Sequence, residues 1–184
     1  MVWGGLSVCY DEFLTPREQL QTENVHMRKI RISRQSVESS SNFQEKWLDL
    51  EAISVAEVTS EDPNFPIESA LTEKGQRSGW RAAETGEQVI RVVFDRPIPL
   101  HRIRLEFSDT ETERTQEFLL RWGRIGEPPR EIVRQQWTFS PHGSTSEIED
   151  YRVQLDDVST VELKLKPDLR PDHGVASLAA WRMA

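Results

Sequence analysis

The fold is decided by residues 86–107, which read GEQVIRVVFDRPIPLHRIRLEF. Apolar and polar side chains alternate on both sides of the central Pro97 and Pro99, and a period of two is typical of β-strands. The apolar positions are Ile90, Val92, Phe94, Ile103, Leu105 and Phe107. Neither proline can donate a backbone hydrogen bond, so we expect them to end one strand and to mark the reversal into the next.

The same pattern recurs along the chain from Ile53 onward. The strand-like segments are 53–58, 88–95, 101–107, 116–122, 131–139, 149–155, 159–166 and 175–183. Eight short strands at this spacing predict an all-β protein with a β-sandwich or jelly-roll fold. Phe118 and Leu120 should join the apolar residues of segment 86–107 in one core, with Trp122 and Trp137 on the same inward faces.

Residues 1–50 have a different pattern and are predicted to form a short, partly helical extension. Thr15-Pro16-Arg17-Glu18 is a capping box with proline at the first helical position, which predicts a helix to about Glu23. A second helix-start signal at 41–44 precedes residues 45–48, and residues 29–32 alternate like an edge strand. We therefore divide the chain into an extension, 1–50, and a β-sandwich or jelly-roll domain, 51–184.

Composition narrows the classes of function. The 184 residues include 31 acidic and 23 basic side chains, and the net charge of −8 repels a nucleic-acid backbone on average. Cys9 is the only cysteine, so an intrachain disulfide or a multi-thiolate metal site is excluded. The start of the chain lacks the basic and apolar regions of a secretory signal, and we expect a cytoplasmic protein with no membrane span.

Strand order predicts which loops lie together. If successive strands are antiparallel, the connections fall alternately at the two ends of the sandwich. One end then holds loops 59–87, 108–115, 140–148 and 167–174, and the other holds 96–100, 123–130 and 156–158. Binding residues are often carried by loops on a rigid scaffold. The first group is longer and more polar, so we expect the ligand at this end, named the long-loop end below.

The predicted ligand-binding residues of the long-loop end are Asn64, Phe65, Trp80, Arg81, Arg114, His142, Arg170 and His173. Phe65 lies between two prolines and is expected to stack on a sugar ring. Trp80 either plugs the end of the sandwich or contacts the ligand. Arg114 and Arg170 could bind hydroxyls or a carboxylate through two hydrogen bonds. The two histidines are either solvated turn residues or hydrogen-bond donors to a sugar.

Patterns typical of catalysis are weak. The carboxylate pairs Glu111 with Glu113 and Asp156 with Asp157 lie in loops, where runs of charge are normally solvated. No glycine-rich phosphate loop precedes a predicted helix. We therefore predict that the protein is not an enzyme and requires no cofactor.

Several short motifs carry a resemblance to a known group. In chain order they are Val58-Thr59-Ser60-Glu61-Asp62, Glu68-Ser69-Ala70-Leu71, Gly79-Trp80-Arg81-Ala82 and Ala176-Ser177-Leu178-Ala179-Ala180-Trp181. Together they resemble the discoidin or coagulation-factor type C domains, which are galactose-binding-domain-like jelly rolls, over residues 53–183. Residues 80–83, 86–87 and 92–93 are also similar to the N-terminal domain of the eukaryotic scaffold protein of single-strand-break repair.

The resemblance implies a non-catalytic binding module, in which glycans are a frequent ligand and phospholipid, protein or nicked DNA are others. Many carbohydrate-binding relatives hold a structural calcium near the first loop, where Asp62 and Asn64 could contribute oxygens. This chain has Ala179 and Ala180 where the group often has an acidic residue. We expect carbohydrate binding first, a protein partner second and nucleic-acid ends third.

Overall fold

The computed structural model describes residues 46–72, 79–170 and 173–184. The chain divides between Phe43 and Gln44, and every element below belongs to Gln44–Ala184. The predicted helix at 15–23 and the predicted edge strand at 29–32 lie outside the described residues.

The described part of the chain consists mainly of strands. Its elements are α1 (Leu50–Ile53), β1 (Ser54–Val58), α2 (Glu68–Leu71), β2 (Trp80–Thr85), β3 (Gln88–Ser108), β4 (Arg114–Gly123), β5 (Arg130–Phe139), β6 (Ser146–Lys166), β7 (Val175–Leu178) and β8 (Ala180–Met183). In this part of the chain no helix is long and apolar enough to span a membrane.

Two long strands, β3 and β6, connect the layers of the sandwich. They pair antiparallel from Gln88 opposite Leu165 to Ser108 opposite Ser146. The first half of β3 and the second half of β6 lie in a sheet ordered β1-β3-β6-β4-β5. The second half of β3 pairs instead with β8 and with the first half of β6. Both strands therefore pass from one layer to the other.

The predicted reversal at Pro97 and Pro99 is wrong, because β3 is one continuous strand of 21 residues. The prolines do lie where the ladder is interrupted, since its register shifts between Val93 and Arg102. Register shifts of this kind bend a strand sharply. The predicted segments 149–155 and 159–166 likewise form the single strand β6, in which Asp157 has a φ of 57° beside the shift.

Three further predictions of local structure are wrong. Residues 80–85, assigned to a loop, form β2, which pairs antiparallel with β7 as a separate two-stranded sheet. The predicted segment 175–183 is divided at Ala179 into β7 and β8. Of the predicted helix at 45–48, the described residues 46–48 are not helical, and the single turn of α1 begins only at Leu50.

The predicted core is confirmed. All eight of its named aliphatic and phenylalanine residues are at most 5% exposed, and the rings of Phe107 and Phe118 lie 5.3 Å apart across the two layers. Trp122 is also buried, whereas Trp137 is half-buried and packs against the core. Burial of these alternating side chains between two sheets is the main stabilising contribution to the fold.

The outer faces of the sheets carry mixed charge, as the sequence predicts. Glu162 lies between Arg91, at 2.9 Å, and Arg121 on the neighbouring strand. Burial alone would raise the pKa of the Glu162 carboxyl, but the hydrogen bonds from the two arginines outweigh it and lower that pKa. On the other layer Arg102 pairs with Asp150 at 2.5 Å. These arginines are therefore neutralised within the protein.

A second acidic cluster lies where β5 and β6 approach each other. The Tyr151 hydroxyl donates to Glu149 at 2.6 Å, and the amide of Gln135 donates to the same carboxylate. Burial, followed by the hydrogen bond and charge of Glu149, raises the pKa of the Glu147 carboxyl to about 7. The Glu147 carboxyl therefore keeps its proton to a higher pH in the folded protein than in the unfolded chain.

Replacing Phe107 with Ala should lower the free energy of unfolding by about 3–5 kcal/mol, because it leaves a cavity between the layers. Urea denaturation followed by tryptophan fluorescence measures this change. Ile148, which is 54% exposed on β6, provides the control, and Ile148→Ala should change stability by less than about 0.5 kcal/mol. Equal effects of the two substitutions would contradict the sandwich core.

The Glu147 carboxyl should make stability depend on pH. Between pH 4.5 and about 7 the unfolded chain releases this proton while the folded protein keeps it, so the free energy of unfolding should fall as pH rises. Glu147→Gln should remove this fall and stabilise the protein at pH 8. Urea denaturation at several pH values tests this, with Glu131→Gln as the control for loss of a charge. Parallel profiles for wild type and Glu147→Gln would show that the pKa of the Glu147 carboxyl is not raised in the folded protein.

Candidate functional site

Backbone contacts bring the four predicted loops to one end of the sandwich. The amide of Asp109 donates to Thr145 at 2.9 Å, that of Leu169 to Thr115 at 3.0 Å, and that of Gly86 to Gly174 at 3.3 Å. The predicted grouping of loops is confirmed even though β3 and β6 are continuous. Each of these two strands bends into the second layer and then runs back along the sandwich in the opposite direction. The bend therefore has the same effect on the position of the next loop as a hairpin would have.

The remaining connections lie at the opposite end, also as predicted. Ile98 is paired with Val158 and Gly123 with Thr160, where β3, β4 and β6 reach this end. The Arg124 side chain from the loop after β4 donates to the Asp156 carbonyl at 3.0 Å. The far end is therefore closed by short connections.

An open cavity of about 560 Å³ lies at the long-loop end. Three parts of the chain line it: Phe65 with Trp80 and Arg81, named the first wall below, and residues 108–112 with Arg114, named the second wall. The third part, named the base, is residues 174–175 and 177–179 at the end of the β2–β7 sheet. A concave site of this size is suited to a small ligand.

Phe65 and Arg81 form the first wall as a unit. The amide of Arg81 donates to the Phe65 carbonyl at 3.1 Å, and the amide of Asp62 donates to the Arg81 carbonyl at 2.9 Å. The Arg81 guanidinium lies over the Phe65 ring, 5.0 Å from its centroid, in a cation–π contact. The backbone and the ring together orient an otherwise exposed cation towards the cavity.

Gly79 allows this wall to approach the base of the cavity. Its φ is +68°, a conformation that other residues adopt at a cost. A Cβ atom at this position would lie 2.6 Å from the carbonyl oxygen of Leu178 and 2.9 Å from Cα of Ala179. The sequence Gly79-Trp80-Arg81 therefore sets the spacing between β2 and the junction of β7 with β8.

The second wall is organised by Asp109. One oxygen of its carboxylate accepts from the backbone amides of Glu111 at 3.0 Å and Thr112 at 2.9 Å, and the other accepts from Arg114 at 2.6 Å. Burial alone would raise the pKa of the Asp109 carboxyl, but these hydrogen bonds outweigh it and lower that pKa. Asp109 therefore stays ionised and fixes the loop that faces Arg81.

Arg114 has a structural role that its sequence position did not reveal. Its side chain is 3% exposed, donates to the Pro167 carbonyl and to Gln116 at 3.1 Å, and lies 5.0 Å over the ring of Phe139. Most of its donors are thus used within the protein, so the prediction of a free bidentate donor is wrong. Arg114 instead joins the loops after β3, β5 and β6.

The other predicted residues fall into two groups. Phe65, Trp80 and Arg81 border the cavity, but the Trp80 side chain is only 1% exposed. A ring buried to that extent cannot stack on a sugar, so Trp80 is a structural plug. The remaining four residues do not border the cavity, although they lie in the long loops: they are Asn64, His142, Arg170 and His173.

Two of these residues have local partners. The backbone and side-chain nitrogens of Asn64 donate to the Asp62 carboxylate at 2.9 and 3.1 Å, which forms a turn. Arg170 pairs with Asp168 at 2.5 Å, and this hydrogen bond is the main cause that lowers the pKa of the Asp168 carboxyl to about 2. His142 and His173 are exposed.

Calcium at Asp62 and Asn64 stays a prediction. Within residues 46–72, 79–170 and 173–184, no group of three or more His, Cys, Asp or Glu side chains is arranged to hold a metal ion. One oxygen of Asp62 already accepts two hydrogen bonds from Asn64.

Sequence reasoning missed Asp109 as the anchor of the second wall and Val175, Ser177 and Ala179 at the base. An aspartate ahead of Thr110-Glu111-Thr112 is a recognisable turn signal, because its side chain can accept from amides two and three residues later. The base residues carried no local signal, since they depend on the pairing of β7 with the unpredicted strand β2.

Replacing Arg114 with Met should lower the free energy of unfolding by about 3 kcal/mol, because the partly buried Asp109 carboxylate would lose its cation. The contribution of Asp109 is present above pH 3.8 and is lost as pH falls through its lowered folded pKa. Urea denaturation at pH 7 measures the change. Arg134→Met, at an exposed pair with Glu117, should cost less than about 0.5 kcal/mol. A similar small cost for Arg114→Met would contradict its joining role.

Comparison with known proteins finds likeness in structure alone. No protein-family model matches the sequence, and no curated protein matches it. Among solved structures, the family 32 carbohydrate-binding module from C. perfringens NanJ in complex with galactose is 12% identical. It is matched with a TM-score of 0.54, over 74% of this chain and 96% of that one.

Two further structures agree in fold. The family 32 module of AlyQ in complex with 4,5-unsaturated mannuronic acid is 16% identical, with a TM-score of 0.54, over 76% of this chain and 98% of that one. The F5/8 type C domain from Bacteroides fragilis is 16% identical, with a TM-score of 0.50, over 74% and 93%. The described domain therefore has the galactose-binding-domain-like jelly-roll fold of the family 32 modules and the discoidin-like F5/8 type C domains.

Proposed function

We propose that this chain is a non-catalytic carbohydrate-binding module whose ligand occupies the cavity between Arg81 and the 108–112 loop. The observation that carries the proposal is the cavity itself, which lies among the loops at the long-loop end of a jelly roll. Two solved modules with the same fold were obtained in complex with galactose and with an unsaturated mannuronic acid. That likeness supports the proposal at the level of fold.

The chemistry of the cavity suits a pyranose. A sugar presents hydroxyls that both donate and accept hydrogen bonds, together with apolar C–H faces. Arg81 supplies donors, Glu111 supplies acceptors, and the hydroxyl of Ser177 can do both. Val175, which is 38% exposed, and Ala179 provide apolar surface at the base. A few directed polar groups on a partly apolar wall are typical of small-ligand sites.

The arrangement gives little support to catalysis. Hydrolysis of a glycosidic bond normally uses two carboxyl groups that flank the bond. Asp109 already accepts three hydrogen bonds in the protein, which leaves Glu111 as the available carboxylate among the described cavity residues. Binding without chemistry is therefore the activity that the site supports best.

A nucleic-acid ligand is disfavoured by the pairing of the arginines. Arg91, Arg102 and Arg121 on the sheet faces are neutralised by carboxylates of the same protein, and the whole chain carries a net charge of −8. A phosphate backbone would have to displace those carboxylates. A protein partner remains the alternative if no sugar binds.

A glycan array followed by titration calorimetry tests the proposal. We expect saturable binding of at least one glycan, which Thr110→Trp should weaken at least tenfold by filling the mouth of the cavity. Glu131→Trp, on the exposed face of β5, is the matched control and should bind like wild type.

The contrary outcomes are distinct. Binding that survives Thr110→Trp would place the sugar elsewhere on the protein. The absence of binding to every array member would contradict the carbohydrate proposal and favour a protein partner.

A further inference from the structure

Arg81 differs from most arginines on the surface of this domain. Seven others form ion pairs with carboxylates of the same protein: Arg91, Arg102, Arg104, Arg121, Arg130, Arg134 and Arg170. Arg81 is exposed, and no described carboxylate lies within ion-pair distance of its guanidinium. Among the described residues this cation therefore has no counter-charge, and it lines the open cavity of about 560 Å³.

The position of this cation is nevertheless fixed. The backbone of Arg81 is hydrogen-bonded to the backbones of Phe65 and Asp62, and its guanidinium lies 5.0 Å from the centroid of the Phe65 ring. An aromatic ring orients a guanidinium without using its N–H donors, which point outward in the plane of the group. Arg81 can therefore offer two parallel donors to a ligand, and within the described part of the chain it has no ion pair to break.

The other charged side chains of the cavity do not offer a cation to a ligand. Arg114 is 3% exposed and pairs with Asp109. Glu111 is exposed on the second wall and is the other charged cavity residue that forms no ion pair within the described part of the chain. The two walls are therefore polarised, with an available cation on the Phe65 side.

We propose that the cavity selects acidic sugars, specifically a uronic acid whose carboxylate accepts two hydrogen bonds from Arg81 while its ring lies on the base formed by Val175 and Ala179. This inference rests on the proposed carbohydrate-binding function and adds the class of sugar. A guanidinium and a carboxylate match in geometry, and their charge-assisted hydrogen bonds are stronger than those to a neutral hydroxyl. Phe65 acts here as the support for Arg81 and not as the stacking platform that the sequence predicted.

Paired ligands that differ only in the carboxylate test this selection. D-galacturonate and D-galactose differ at C6, and the oligosaccharides of polygalacturonate and galactan extend the same comparison. Titration calorimetry of the full chain at low salt should show at least tenfold tighter binding of the acidic member of each pair. That preference should shrink as salt is raised, because a partly exposed ion pair is screened.

Substitutions test whether Arg81 causes the preference for acidic sugars. Arg81→Gln should abolish the preference for the acidic sugar, so that the two members of each pair bind with affinities within about threefold of each other. Arg96→Gln is the matched control, because it removes the same charge from an exposed residue at the far end of the sandwich and should leave the preference intact. Glu111→Gln should increase the preference for the acidic sugar, since it removes a like charge from the lining of the cavity.

Each outcome has one meaning. Equal affinities for the two members of every pair, or a preference that survives Arg81→Gln, would overturn this inference and leave carbohydrate binding intact. Equally tight binding of glutarate, a carboxylate without a sugar ring, would overturn it in favour of a simple anion site. No binding of any acidic or neutral sugar would contradict the proposed function together with this inference.

Discussion

The antiparallel pairing of β3 with β6 is the interaction on which the rest of this structure depends. It begins at Gln88 and Leu165 in one layer and ends at Ser108 and Ser146 in the other. Because each strand is hydrogen-bonded in both layers, the two layers are connected through the backbone as well as through the core. The end of this ladder also positions Asp109 directly beside the mouth of the cavity.

The sequence predicted the faces of the strands better than their connections. Side-chain alternation is a local property, so it identified the buried positions of β3 and β4 and the polar face that carries Arg91. Pro97 and Pro99 correctly marked the interruption of the ladder. Whether such an interruption is a loop or a bend within one strand depends on a distant partner, here the 146–166 strand, and no local pattern contains that information.

The candidate site shows the same division. The long loops were grouped correctly because the grouping follows from strand direction alone. The roles of individual residues were harder, since Arg114 was predicted to bind ligand but is enclosed by Pro167, Gln116 and Phe139 from other parts of the chain. Trp80 was ambiguous for the same reason, because its burial depends on β7, whose pairing with β2 the sequence did not indicate.

The support of Arg81 by Phe65 has a consequence for the speed of recognition. A guanidinium that is paired with a carboxylate must exchange one anion for another before a ligand can bind, and that exchange adds a barrier. A guanidinium that rests on an aromatic ring has only water to release. The surface of this domain thus combines arginines that pair with internal carboxylates and Arg81, which rests on the Phe65 ring with no described carboxylate in ion-pair distance and can bind an anion without that exchange.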